Sequence, residues 1–137
     1  MRGEKGKGWE LLEDVDTYMR EGPGKRFTEP RLLFILRQGP AHGYELMRRM
    51  GEVPLPGPLP DTGAVYRALR RMEQEGLVTS SWAETERGPR RKVYRITPGG
   101  KKRLNIWVEA IKGRVELLLR FLELCGDGDR GKAKKRG

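Results

Sequence analysis

The sequence predicts a mainly α chain with one small antiparallel β-hairpin, closed by a long C-terminal helix. Three observations carry that class. Apolar residues recur at helical spacing in separate stretches between Trp9 and Gly76. Two β-branched and aromatic runs, 77–84 and 92–96, flank a Gly-Pro loop. After Thr97, apolar residues return at intervals of three and four for about five turns. A chain of 137 residues supports one small domain with appendages. Since 36% is hydrophobic and 35% charged, part of it is expected outside the core.

Residues 1–27 read as an N-terminal extension. Its first eight residues are glycine-rich and charged, and Leu11, Leu12, Val15, Tyr18 and Met19 then follow the period of a short amphipathic helix ended by Gly22-Pro23-Gly24. Seven acidic against six basic side chains in residues 1–30 argue for docking on protein rather than on an anionic bilayer. Thr28 is the expected cap of the next helix, with Pro30 in its first turn. Leu32 to Leu36 are apolar nearly all round, so this helix either crosses the core or serves a dimer interface. Gln38-Gly39-Pro40 turns the chain.

His42 opens a further helix, where it is assigned a local structural role. Tyr44, Leu46, Met47 and Met50 are expected inward, and Arg48 and Arg49 outward. The alternating prolines of 53–60 deny a helix its N–H groups, so this run is a stiff connector, or else a ligand for a proline-binding domain.

The helix over Asp61–Gly76 has two incompatible faces. Val65, Ala68, Leu69 and Met72 fall on one stripe; Gly63, Arg67, Arg70 and Gln74 lie opposite, flanked by Tyr66 and Arg71. Asp61 or Thr62 caps its start and Gly76 stops it. In the hairpin that follows, Arg87, Arg90, Arg91, Lys92 and Arg95 meet only Glu84 and Glu86 as local opposition. Thr97-Pro98 starts the last helix, whose stripe is Leu104, Trp107, Val108, Ile111, Val115, Leu118, Leu119 and Leu122. A stripe that long exceeds what a domain this small can cover alone, so the helix is expected to pair with its copy in a second chain. Gly113 interrupts it at a cost of about 1 kcal/mol relative to Ala. The expected units are therefore 28–97 for the compact domain, 98–125 for the dimerisation helix and 126–137 for a disordered basic tail.

Three helices, the third outwardly cationic, followed by a basic hairpin, form the order of a winged helix-turn-helix. In that arrangement a helix reads base edges in the major groove while the wing holds phosphates. A net charge of +10 suits a polyanion. The candidate DNA-binding residues are Thr62, Gly63, Tyr66, Arg67, Arg70, Arg71 and Gln74 on the helix, with Arg87, Arg90, Arg91 and Lys92 on the wing.

The sequence resembles the PadR family of bacterial transcriptional regulators through HGYELMRRM at 42–50, GAVYRALRRMEQEGLV at 63–78 and GPRRKVYRITPGGKKRL at 88–104. The resemblance spans roughly residues 30–122 and is nearest to a short-tailed branch that includes polyhydroxybutyrate-responsive repressors. It implies a dimeric repressor of double-stranded operator DNA, with the C-terminal helix as dimerisation arm and a small-molecule effector near the dimer interface. The lack of a signal peptide or membrane span adds the expectation of a cytoplasmic location. Tyr66 and the outer ridge of its helix are the DNA-contacting positions by motif. The amphipathic segment at 9–21 and the proline run at 53–60 depart from the family pattern.

A hydrophobic or phenolic effector is the expected class, and Phe34, Trp107 and Ile111, with Trp9 as a further candidate, are the residues for an apolar cleft between subunits. Core or dimer packing competes for the same aromatic residues. No cofactor is implied. One histidine and one cysteine exclude a multi-histidine zinc site and an intrachain disulfide, and Cys125 lacks a flanking histidine to make it a redox switch. No signal peptide or membrane-spanning run is visible, and the chain lacks clustered carboxylates, a nucleophile motif and a phosphate loop, which argues against an enzyme. The rival reading is a winged-helix module that binds protein or RNA.

Overall fold

The structure, a computed structural model, describes residues 27–84 and 86–136. The amphipathic segment expected at 9–21 lies outside the described residues. The elements run α1 (Thr28–Gln38), β1 (Ala41–His42), α2 (Gly43–Met50), α3 (Thr62–Gln74), β2 (Val78–Ala83), β3 (Arg91–Ile96) and α4 (Pro98–Arg136). The expected hairpin is part of a three-stranded antiparallel sheet in the order β1-β3-β2. The extra strand is two residues long, too short to show a period of two, and pairs Ala41 with Tyr94 and His42 with Val93.

Three helices enclose the core. Leu32, Leu33, Ile35 and Leu36 of α1, Leu46 and Met50 of α2, and Val65, Leu69 and Met72 of α3 are each at most 2% exposed. Burying a side chain of this kind contributes about 1.5–3 kcal/mol. Of the two roles open to α1, the core one is realised.

Thr28 is not the cap of α1. The cap position is Phe27, with a left-handed backbone at φ 53° and no side-chain hydrogen bond. That conformation costs a non-glycine residue about 1–2 kcal/mol. It turns the Phe27 ring onto Trp107, with ring centroids 6.0 Å apart and planes tilted by 58°.

Two polar contacts brace the unit from inside. Arg31, 1% exposed, donates from Nη2 to the Leu55 carbonyl at 2.6 Å and to the Pro56 carbonyl at 3.3 Å, so α1 holds the proline run that leads into α3. Burial lowers the pKa of its guanidinium. Glu29, 2% exposed, accepts from Trp107 Nε1 at 2.5 Å, Arg103 Nη1 at 3.0 Å and Arg71 Nη2 at 3.4 Å. Arg103 and Arg71 also pair with Glu75 at 3.2 and 3.6 Å.

The chain divides into two compact units at Trp107 and Val108. The boundary falls ten residues beyond the expected one at 97, because Leu104 and Trp107, 5% and 0% exposed, belong to the first unit's core. Both were expected on the dimerisation stripe; a ring hydrogen-bonded to a buried carboxylate is closed to a partner chain. In the second unit, Val115, Leu118, Leu119 and Leu122 are 47–62% exposed and Val108 37%, while Ile111 is half-buried. Leu117, Phe121 and Leu124 are also exposed. The helix runs on to Arg136, through residues expected to be disordered. Extending a formed helix adds a hydrogen bond per residue.

Candidate nucleic-acid interface

Both ends of α3 are fixed by local chemistry. Asp61 Oδ1 accepts the Ala64 N–H at 2.7 Å, which satisfies a first-turn donor. At the far end Gly76 has φ 76°, its N–H reaches the Glu73 carbonyl at 3.1 Å, and the Leu77 N–H reaches Met72 at 2.8 Å. These are the two bonds of a Schellman motif, which needs a left-handed residue between them. Val65, Ala68, Leu69 and Met72 face the core, so the helix cannot rotate about its axis without exposing them.

The opposite face is open. Thr62, Gly63, Tyr66, Arg67, Arg70 and Gln74 are exposed, as the sequence predicts. Tyr66 lies across the start of α2, where a side chain on Gly43 would strike its ring and hydroxyl. Arg71 departs from the expected set: it is turned inward, 25% exposed, with Glu29 and Glu75 as partners. A one-residue step of about 100° separates it from Arg70 and places it on the shoulder of the core face.

The wing is held against α3 by Ser80, whose hydroxyl donates to Glu73 Oε2 at 2.6 Å. Arg87, Arg90 and Arg91 are exposed and Lys92 is half-buried. The Arg90 guanidinium sits 5.6 Å from the Trp82 ring centroid and the Lys92 ammonium 5.8 Å from that of Tyr94. Gly88 at the tip has φ 86°, a turn conformation suited to glycine.

Between α3 and the wing lies a cleft of about 650 Å³. Tyr66, Arg70 and Glu73 line it from the helix, Trp82, Arg91, Lys92 and Tyr94 from the strands, and His42, Gly43 and Tyr44 from the start of α2. Burial, and then the nearby Glu73, raises the pKa of the Tyr94 hydroxyl, with Arg70 opposing. His42 has the structural role expected of it, accepting the Glu45 N–H through Nδ1 at 3.3 Å.

Two cleft residues escaped the sequence reading. Tyr44, expected inward, is 71% exposed, and Trp82, 58% exposed, was not assigned a site role. An eight-residue helix gives too few turns to set the phase of its first residues, whereas the alternation of β2 does place Trp82 on the face of Val78 and Ser80, the one turned to α3. Of the candidate effector residues, Phe34 and Trp107 belong to the first unit. Trp107 is enclosed, and Phe34, half-buried, has the Arg37 guanidinium 5.4 Å from its ring centroid. Among the described residues, no group of three or more His, Cys, Asp or Glu side chains is placed to hold a metal ion, and no helix is long and apolar enough to cross a membrane.

A family profile described as the transcriptional regulator PadR-like family matches residues 32–106. A PadR family transcription regulator from Clostridium difficile is 28% identical over 70% of this chain and 98% of its own, with a TM-score of 0.62. A PadR-like transcriptional regulator from Bacillus cereus is 28% identical over 72% and 93%, with a TM-score of 0.58. Bacillus subtilis PadR, solved in complex with operator DNA, shares the fold at a TM-score of 0.52 and 23% identity, over 61% of this chain and 47% of its own. No curated protein sequence matches.

Proposed function

The chain belongs to the PadR-like family of transcriptional regulators, and from that membership we propose that it works as a homodimeric, ligand-responsive repressor that binds operator DNA in the cytoplasm. One observation carries the reading: the cationic face of α3 stands open beside a wing whose arginines are also open, while the other face of α3 is locked in the core. An outer face bearing Tyr66, Arg67, Arg70 and Gln74 has the donors and acceptors that base edges in a major groove demand. Arg67 and Arg70 read guanine; Arg87, Arg90, Arg91 and Lys92 act on phosphates. B. subtilis PadR, which was solved on operator DNA, supports the comparison at the level of fold.

The exposed stripe of Val115, Leu118, Leu119 and Leu122 supports pairing of α4 with a second copy. Two copies related by a two-fold axis would place their recognition helices about 34 Å apart, on a pseudo-palindromic site. Bound there, the dimer blocks polymerase. A small hydrophobic or phenolic effector acts near the dimer interface.

A gel shift with DNA upstream of the coding region, challenged with unrelated duplex and with RNA, tests the central claim. Retention of the upstream fragment against both competitors supports it. Equal displacement by RNA, or no shift at all, rejects it.

A further inference from the structure

Two donors converge on His42, which has one acceptor to offer. Its Nδ1 lies 3.3 Å from the backbone nitrogen of Glu45, and its Nε2 lies 3.1 Å from Nη1 of Arg91. A neutral imidazole has a lone pair on one nitrogen only, and a guanidinium carries donors alone. The Glu45 N–H is fixed in the first turn of α2, whereas Arg91 is an exposed side chain able to turn. The lone pair therefore belongs to Glu45, and the ring proton sits on Nε2, facing Arg91. Two N–H donors then stand 3.1 Å apart, one of them positively charged, and neither can accept from the other. A turn of the exposed Arg91 side chain opens room for a shared acceptor. An anionic oxygen between them satisfies both.

The surroundings select the same kind of guest. Arg70 and Lys92 share this cleft, and the exposed Tyr44 and Tyr66 contribute hydroxyls at its rim. Glu73, the acid among the lining residues, is engaged by Ser80. The cleft also lies between the two elements that the proposed function sets on either side of a DNA strand.

We infer that His42 Nε2 and Arg91 form a clamp for one backbone phosphate of the bound duplex, where the strand passes between α3 and the wing. The inference rests on the DNA-binding reading and narrows it to a single phosphate. One imidazole thus has two tasks, capping α2 through Nδ1 and holding DNA through Nε2.

The test uses the full chain and a duplex enriched from a random-sequence pool by the unaltered protein. His42→Ser retains an oxygen to cap α2 but lacks Nε2; His42→Thr replaces it should the Ser variant melt early. Expected is an affinity loss of about tenfold, the size of one hydrogen bond to a charged acceptor, with the salt dependence unchanged because the ring is neutral. Arg91→Ala is expected to weaken binding and to lower the salt slope by about 0.9. The double variant loses little more than the weaker-binding single. A neutral methylphosphonate at one position of the duplex removes the difference between the unaltered protein and both variants.

Strictly additive losses, or a His42 variant that binds as tightly as the unaltered chain, overturn the clamp and leave the DNA-binding reading standing. Failure of the unaltered chain to enrich any duplex overturns both. Inorganic phosphate separates the sources of the anion. A His42 15N shift with millimolar phosphate, alongside unchanged duplex affinity in the variants, assigns the gap to a free ion and overturns the clamp.

Discussion

Trp107 Nε1 donates to Glu29 Oε2 at 2.5 Å across 78 residues of sequence, and the same carboxylate receives Arg71 from α3. The first turn of α1, the outer end of α3 and the start of α4 are thereby tied to one buried acid. Breaking a buried ion pair from one side costs about 3–5 kcal/mol, because charges remain without their partner. Glu29→Ala is expected near the lower figure, since Arg71 and Arg103 retain some contact with water and with Glu75. Trp107→Phe removes the N–H and shrinks a buried indole to a single ring; the lost hydrogen bond is expected to cost about 1–3 kcal/mol, to which the cavity adds. Urea denaturation measures both losses; a Glu29→Ala variant as stable as the parent would deny the hub.

Gly100 lies where α4 meets the turn after α3. Thr97 Oγ1 accepts the Gly100 N–H at 2.9 Å and donates to the Gly76 carbonyl at 2.6 Å, which draws the two segments together. A Cβ on residue 100 would collide with the Leu77 carbonyl, a main-chain atom that cannot swing aside. Gly100→Ala is expected to destabilise by about 1–3 kcal/mol, read as a lower melting temperature. A melt equal to that of the parent would show that the turn yields.

Neighbouring arginines on α3 should behave differently. Arg67→Ala and Arg70→Ala are each expected to relax preference at one or two base positions, with about 1–3 kcal/mol lost for the preferred base and little change in stability. Arg71→Ala is expected to lower stability and leave base preference as it was, because its guanidinium faces Glu29 and Glu75. Binding to a randomised operator library distinguishes the two classes.

Substituting Leu118 and Leu122 together with Glu removes the centre of the exposed stripe on α4. If that stripe pairs two chains, sedimentation should change from a dimer to a monomer while the far-ultraviolet spectrum stays helical. A variant that sediments like the parent would place the subunit contact elsewhere.

Tyr94 supplies an alkaline limit. Its hydroxyl pKa is raised from the ordinary 10.0, chiefly by burial in the sheet and then by Glu73 and Tyr66. A raised acid favours its neutral form in the fold, so this contribution is complete below the ordinary value and is lost as pH climbs through the folded one. Stability should fall above about pH 10, and Tyr94→Phe should flatten that fall. Identical alkaline profiles for the two proteins would exclude the phenol as the cause.

Much of this architecture was legible because it is local. Asp61, Gly76 and Thr97 mark helix ends through contacts within a few residues, and the stripe of Val65, Leu69 and Met72 announces its own burial by spacing. The open arginine ridge followed from the same period. What escaped was set by distance in sequence. Glu29 reads as an acid suited to a helix start, and nothing nearby reveals donors 42, 74 and 78 residues away. Arg71 and Trp107 were misplaced for that reason, their periodicity being right and their partners unseen. The second face of His42 depends on a strand pairing that brings Arg91 alongside, a contact across 49 residues.

Arg31 holds the proline run by its peptide oxygens, those of Leu55 and Pro56. Such a clasp is blind to which residues it holds. Evolution can therefore rewrite the wording of that connector, provided its path past the guanidinium is kept, while the arginine itself has no such latitude. A drift in the connector would leave α3 where it is; loss of the arginine would unmoor it.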